Sequence, residues 1–298
     1  MANGVLIIDK PSGWTSMDVC AKLRGVFHEK RIGHGGTLDP MATGVLPVFV
    51  GRATRAVEFA VEGEKEYLAA LQLGVITNTQ DATGEVVETR PVNVGRAALE
   101  GALAAFRGQI CQIPPMYSAI KIKGKKLYEL ARSGKEVERA PRTVTIRGLE
   151  VLDTAPEGFP QGENLWYLKV TCSKGTYVRT LCHDIGAALG CGGSLSALRR
   201  TRVGDYGLEG AFTLEQAQAA ADPATLLMPV DSCFAGRPML ALRSLRAEKK
   251  IRNGAALDLP TAPGDGEYRL YGADGAFLAL GRVEGRKLAA GKGLCEGE

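Results

Sequence analysis

Histidine is scarce in this chain: three residues, at positions 28, 34 and 183, among 298. No His-x-x-x-His pair with a third ligand occurs, so the spacing expected of a zinc enzyme is missing. The seven cysteines are odd in number, lie between positions 20 and 295 and include no Cys-x-x-Cys; this argues against both a zinc ribbon and a disulfide framework. Cys182, His183 and Cys191 are neighbours in sequence, but 182 and 191 fall on different faces of a helix and read as packing residues. No P-loop and no Gly-x-Gly-x-x-Gly fingerprint is present, which removes the usual nucleotide-cofactor chemistries. Apolar runs are short, as in Val45 to Val50, against the roughly 20 residues that a bilayer-spanning helix needs. The start, Met-Ala-Asn-Gly, has no basic region and soon meets Asp9 and Lys10, unlike a secretory leader. A cytoplasmic protein without cofactor or metal is expected.

Excess charge is also small, a formal +4, so the whole-molecule field says little about a nucleic-acid partner. Its distribution says more. Between Lys121 and Arg147 nine Lys/Arg stand against three Glu, a local footprint suited to phosphates. Hydrophobic residues at 45% and charged residues at 23% are ordinary for a globular protein. The length accommodates one main domain with a substantial core and a small appendage.

Against these absences stands one dense stretch, Gly33-His34-Gly35-Gly36-Thr37-Leu38-Asp39-Pro40-Met41-Ala42-Thr43-Gly44-Val45-Leu46-Pro47. It puts an imidazole, a carboxylate and four glycines into fifteen residues. Pro40 biases Asp39 away from helix, and the glycines permit tight turns and close approach of a ligand to backbone. A carboxylate held on a loop is the expectation. His34, among glycines, reads as an exposed ring.

The stretch resembles the signature of the TruB family of pseudouridine synthases, with every defining position present. Three further stretches match the same family in order: Lys10-Pro11-x-Gly13; Ser173-Lys174-Gly175-Thr176-Tyr177-Val178-Arg179; and Leu198-Arg199-Arg200-Thr201-Arg202. A Met116-Tyr117-Ser118-Ala119-x-Lys121 stretch resembles the start of the family's RNA-contacting insertion. The resemblance implies an α+β fold with a mixed, largely antiparallel central sheet flanked by helices. It also implies isomerisation of uridine 55 in the tRNA T-loop, with base flipping, tRNA as partner and no cofactor. Asp39 is the implied nucleophile, Tyr67 the ring against the target uracil, and Arg179 the partner of Asp39. Substrate contacts are implied for His34, Asp81, Tyr177, Leu198, Lys10 and Lys121, and the basic residues after Leu198 are assigned to the RNA backbone. Two rivals are an RNA-binding or RNA-folding protein without catalysis, and a glycoside hydrolase, for which an acid partner to Asp39 is missing.

Local patterns fill in the elements. A buried strand is expected at Val5 to Ile8. A helix capped by Thr15 or Ser16 follows, with Val19, Leu23, Val26 and Phe27 inward. Further strands are expected at Glu66 to Gly74, Val144 to Leu152 and Leu165 to Cys172, and a helix over Leu99 to Phe106. A short lysine-bearing helix is expected near 126–132, and Thr213-x-x-Gln216 reads as a capping box. Arg179 falls in the first turn of a helix, where the dipole disfavours a cation unless it has an anionic partner. The domain reading is 1–235 for the catalytic unit, with an RNA-binding insertion at about 116–147, and 239–298 for a small β-rich unit resembling PUA domains.

Overall fold

The computed structural model describes residues 2–60, 63–118, 120–122 and 124–293. A nine-stranded sheet organises the main body. Its path runs Gly4–Lys10, Thr43–Val50, Gly193–Val203, Lys65–Leu73, Leu165–Cys172, Arg142–Val151 and Gly108–Gln112, with Ile32–His34 and Tyr206–Gly207 as side strands. All neighbours along the path are antiparallel except one: Thr43 and Gly44 run parallel to Arg199 and Arg200. The sheet is therefore mixed and largely antiparallel. Lys65–Leu73 sits at its middle because Tyr67, Ala69, Leu71 and Leu73 alternate onto one buried face, the two-residue period of a pleated strand.

Helices cover that face. Ser16–Phe27 starts on a capping box between Thr15 and Asp18 and buries Val19, Cys20, Leu23 and Phe27; each large apolar side chain so buried contributes about 1.5–3 kcal/mol. Arg96–Leu103 adds Leu99 and Leu103, and Val178–Ala188 adds Val178, Leu181, Cys182 and Ile185. The opposite face carries Val5, Ile7, Val45, Phe49 and Val203, covered by Val230 and Phe234.

A separate five-stranded sheet follows, ordered Met239–Ala241, Gly266–Tyr271, Phe277–Glu284, Lys287–Gly293 and Leu257–Asp258, with the helix Leu245–Arg252 beside it. It has its own core of Leu242, Ile251, Leu270, Leu278, Val283 and Leu288. Phe277 stacks on Phe234 at 6.1 Å, and the Tyr271 hydroxyl donates to Asp231 at 2.6 Å, joining it to the main body.

The two longest departures from the sequence reading are strands. The second half of the glycine-rich stretch is a strand, because Val45 to Val50 are apolar enough to be buried and pair with Gly4–Lys10 along its whole length. Its other edge splits, meeting Gly193–Val203 at Thr43 and Gly44 and Ile32–His34 at Val48 to Val50. Pro47 falls in the gap, its carbonyl accepting from Gly35 N–H at 2.8 Å, so its missing N–H strands no ladder partner. The Gly193–Val203 strand also went unread, since Ser194, Ser196 and three arginines interrupt its apolar alternation.

Candidate active site

Asp39 sits on a short loop whose backbone is held by side chains from elsewhere in the chain. Ser16 Oγ accepts from Leu38 N–H at 2.9 Å and donates to Leu38 O at 3.2 Å. Lys10 Nζ donates to the carbonyls of Pro11, Trp14 and Pro40 at 2.8, 2.7 and 3.2 Å, and Gly13 N–H reaches Pro40 O at 2.8 Å. Arg200 Nε donates to Val45 O at 2.7 Å and its Nη2 to Gly36 O at 2.9 Å. Gly44, at φ +101°, lies against the Arg200 backbone; a Cβ there would stand 2.1 Å from the Arg200 carbonyl oxygen, so only glycine permits the parallel contact.

The carboxylate is aimed by a buried cation. Arg179 Nη2 lies 3.2 Å from Asp39 Oδ1 and donates to Tyr117 O at 2.8 Å, while its Nη1 faces Asp81 Oδ2 at 3.4 Å. The Arg179 side chain is 6% exposed and that of Asp39 34%, so the carboxylate keeps an open face while the cation behind it is buried. Asp81 is held in turn, its Oδ1 accepting from Thr79 Oγ1 at 2.8 Å, Thr83 N–H at 2.9 Å and Thr83 Oγ1 at 2.6 Å. Two carboxylates thus answer the cation in the first helical turn. Burial pushes the Asp39 carboxyl above its ordinary range; Arg179 and Lys10 pull it down and Asp81 adds to the rise.

Around this triad the structure brings most of the expected residues together. Tyr67 is buried in the central strand, its phenol pushed up by burial and eased by Arg200. Tyr177 precedes the Arg179 helix, with the guanidinium 5.9 Å from its ring centroid. Leu198 is buried opposite Ala69. His34 is half-buried, not exposed: burial, then Arg200, lowers its basicity, and Nδ1 has no partner among the described residues.

Three expected substrate contacts are corrected or left aside. Lys10 has no exposed surface and its amine, lowered to about 8 by burial, is taken up by three carbonyls, so it faces the Asp39 loop and not RNA. Asp81 is 3% exposed and faces Arg179. The Lys121 side chain lies outside the described residues, though its backbone pairs with Lys126. The arginines after Leu198 do not form an RNA-facing run either. Arg199 is paired with Asp9 through two contacts at 3.1 and 2.7 Å, and Arg200 is buried.

Sequence reasoning also missed Gln112, Lys65 and the second role of Ser16. Buried Gln112 accepts from Tyr177 N–H at 3.1 Å and donates to Tyr177 O at 3.2 Å. No local pattern marks such a residue. Among the described residues no group of three or more His, Cys, Asp or Glu is placed to hold a metal.

In fold, 98% of the chain aligns with a chain in the solved structure of an H/ACA RNP bound to a substrate RNA containing 2′-deoxyuridine, at TM-score 0.70 and 24% identity over 85% of that chain. A Cbf5-Nop10-Gar1 complex gives TM-score 0.68 and 26% identity, covering 98% of this chain and 84% of that one. Residues 24–178 match the family model for the TruB family pseudouridylate synthase N-terminal domain, and residues 179–235 that for the tRNA pseudouridylate synthase B C-terminal domain. The class that fold and site define is therefore the pseudouridylate synthases. Within that class, the chain belongs to the TruB family. Among its relatives, the tRNA pseudouridine synthase B of Ralstonia pickettii (strain 12J) is 46% identical over 93% of this chain and 87% of its own length. That of Azoarcus sp. (strain BH72) is 46% identical over 97% and 93%. The boundary between the two family models falls between Val178 and Arg179, so the ion pair that aims Asp39 joins one matched region to the other.

Proposed function

We propose that the protein isomerises uridine 55 in the T-loop of tRNA to pseudouridine, with Asp39 as nucleophile. The observation that carries this is the buried Arg179 holding a carboxylate that is still open to the pocket. The N1–C1′ bond breaks, the uracil turns, C5 bonds to C1′, and the C5 proton is lost while N1 gains one. Asp39 serves this by attack at C1′ or at C6. Arg179 favours the carboxylate against the upward pull of burial, and Asp81 holds the far side of the guanidinium. Tyr67 stacks on the uracil, and its hydroxyl assists the loss of the C5 proton to water.

The target base must leave its stack, at a cost of a few kcal/mol; stacking on His34 and Tyr67, at about 1–3 kcal/mol per base, is of the size needed to offset it. Leu198 and Tyr177 line the uracil's edge. Lys10 acts by holding the Asp39 loop. The units are residues 1–235 for catalysis, with the basic insertion at about 116–147 over the RNA, and 239–298 as a PUA-like RNA-binding unit; the end of the family match at 235 and the separate core beyond support this division. A cytoplasmic setting goes with a tRNA substrate, and no described helix is long and apolar enough to cross a membrane.

The test is tritium release from a tRNA transcript labelled at uridine C5, with the wild type beside Asp39→Ala, and mapping of the modified position. Release by the wild type alone, mapping to uridine 55, is expected. Equal RNA binding by both proteins with release by neither would overturn the assignment in favour of an RNA-binding protein without catalysis.

A further inference from the structure

Arg200 is 1% exposed, and among the described residues no carboxylate pairs with it. A buried guanidinium left without an anion is strongly destabilising unless its donors are used well. Its place explains how they are used. The sheet opens where Thr43–Val50 leaves Gly193–Val203 after only two paired residues, and the guanidinium fills that opening. Nε takes Val45 O and Nη2 takes Gly36 O, and these carbonyls flank Asp39 on its two sides in sequence. Tyr67 stands directly opposite Arg200 in the antiparallel register, so its ring and the guanidinium leave the sheet on the same face, and the cation eases the phenol's ionisation. Lys65, two residues before Tyr67 on the same face, packs beside Gly36 close to Nη1.

We infer that Arg200 is a positioning residue of the reaction: one guanidinium closes both ends of the Asp39 loop and faces the Tyr67 phenol, fixing the carboxylate and the ring relative to each other across the pocket. The inference rests on the reading of Asp39 and Tyr67 as reacting groups. Its distinguishing feature is that three groups are met by one planar fork. Lysine keeps the charge but presents a single nitrogen, and glutamine keeps a donor but loses the charge. Neither spans Gly36, Val45 and Tyr67 at once.

The experiment is single-turnover tritium release with enzyme in excess over labelled tRNA, for wild type, Arg200→Lys and Arg200→Gln. Amplitude reports the folded, competent fraction; the rate constant reports positioning. Misplacement by about 1 Å costs on the order of 100-fold, so the rate constant is expected to fall about 100-fold in Arg200→Gln and less in Arg200→Lys, with the tRNA dissociation constant within twofold of wild type. The basic limb of the rate profile is expected to move to higher pH in Arg200→Gln, because the cation that eases Tyr67 ionisation is gone while burial, Cys172 and Asp39, which all oppose that ionisation, remain. Rate constants within twofold of wild type in both variants would overturn the inference. So would loss of amplitude at an unchanged rate constant, or failure of both variants to fold, since either assigns Arg200 to the fold alone. Wild-type release that is lost in Asp39→Ala keeps the underlying reading intact whichever way the Arg200 rates fall.

Discussion

The loop that carries Asp39 and the insertion that begins near Met116 are built on opposite principles. Around Asp39, backbone groups of Gly36, Leu38, Pro40 and Val45 are taken by the side chains of Arg200, Ser16 and Lys10, all buried. Between residues 120 and 135 of the insertion the described backbone pairs locally, in a pair of two-residue strands and the helix Leu127–Arg132, and Lys125 and Lys135 stand exposed. The difference follows from what each must meet. A nucleophile gains from geometry set before substrate arrives, since reorganisation then costs nothing during the reaction. A phosphate backbone is met through charge at long reach, which tolerates imprecision but not burial. The two regions meet where Arg179 donates to Tyr117 O while holding Asp39.

The largest expected effect is on the preset side. Arg179→Met leaves Asp39 and Asp81 facing each other without their shared cation, and breaking a buried pair costs about 3–5 kcal/mol. Tritium release is expected to be lost and thermal unfolding to move down; retained turnover would show that the loop aims Asp39 unaided. Ser16→Ala strands the Leu38 N–H, at about 1–3 kcal/mol. Urea unfolding should record that loss together with slower turnover, and an unchanged midpoint would break the contrast between the regions.

A subtler expectation concerns pH. With Asp39 proposed as the nucleophile, the carboxylate is the form that reacts and its titration is raised, so activity is expected to climb with pH through a point above the usual carboxylate range near 4. Asp81 contributes to that rise, so in Asp81→Asn the acid limb of kcat/KM should move to lower pH even as the rate drops. A limb that stays in place would mean Asp81 acts only by holding Arg179. The smallest effect belongs to the insertion. Lys125→Ala with Lys135→Ala should lower the salt dependence of tRNA binding by about one unit per lysine, leaving kcat and Tm at wild-type values. A fall in Tm would show that these lysines support the fold.

How much could be read in the sequence follows the same division. Asp39 was legible because its signature is contiguous, and Arg179 because a cation in a first helical turn asks for an anion. The Tyr67 strand was legible from simple alternation. Arg200 was not: three arginines within four residues read as a basic surface, and only the split in the sheet reveals that one of them points inward. The place of Lys10 is illegible for the same reason, since nothing local announces three carbonyls converging on an amine. Ser16 was weighed as a helix cap, a role that Thr15 takes, while its hydroxyl serves a residue 22 positions away. Contacts between side chains and distant backbone leave no periodic trace.

The two-residue parallel contact between Thr43–Gly44 and Arg199–Arg200 also sets a timetable for the growing chain. Asp39 leaves the ribosome early, but Arg179 follows 140 residues later, and Arg200 lies 164 residues from Gly36. At about 5–20 residues per second, the Asp39 loop spends roughly 7–30 seconds without the groups that shape it. A nascent chain halted before Gly193 holds the signature complete and has no working centre. Catalytic competence in this protein waits until about two-thirds of the chain has been made, when Gly193–Val203 enters between Thr43–Val50 and Lys65–Leu73.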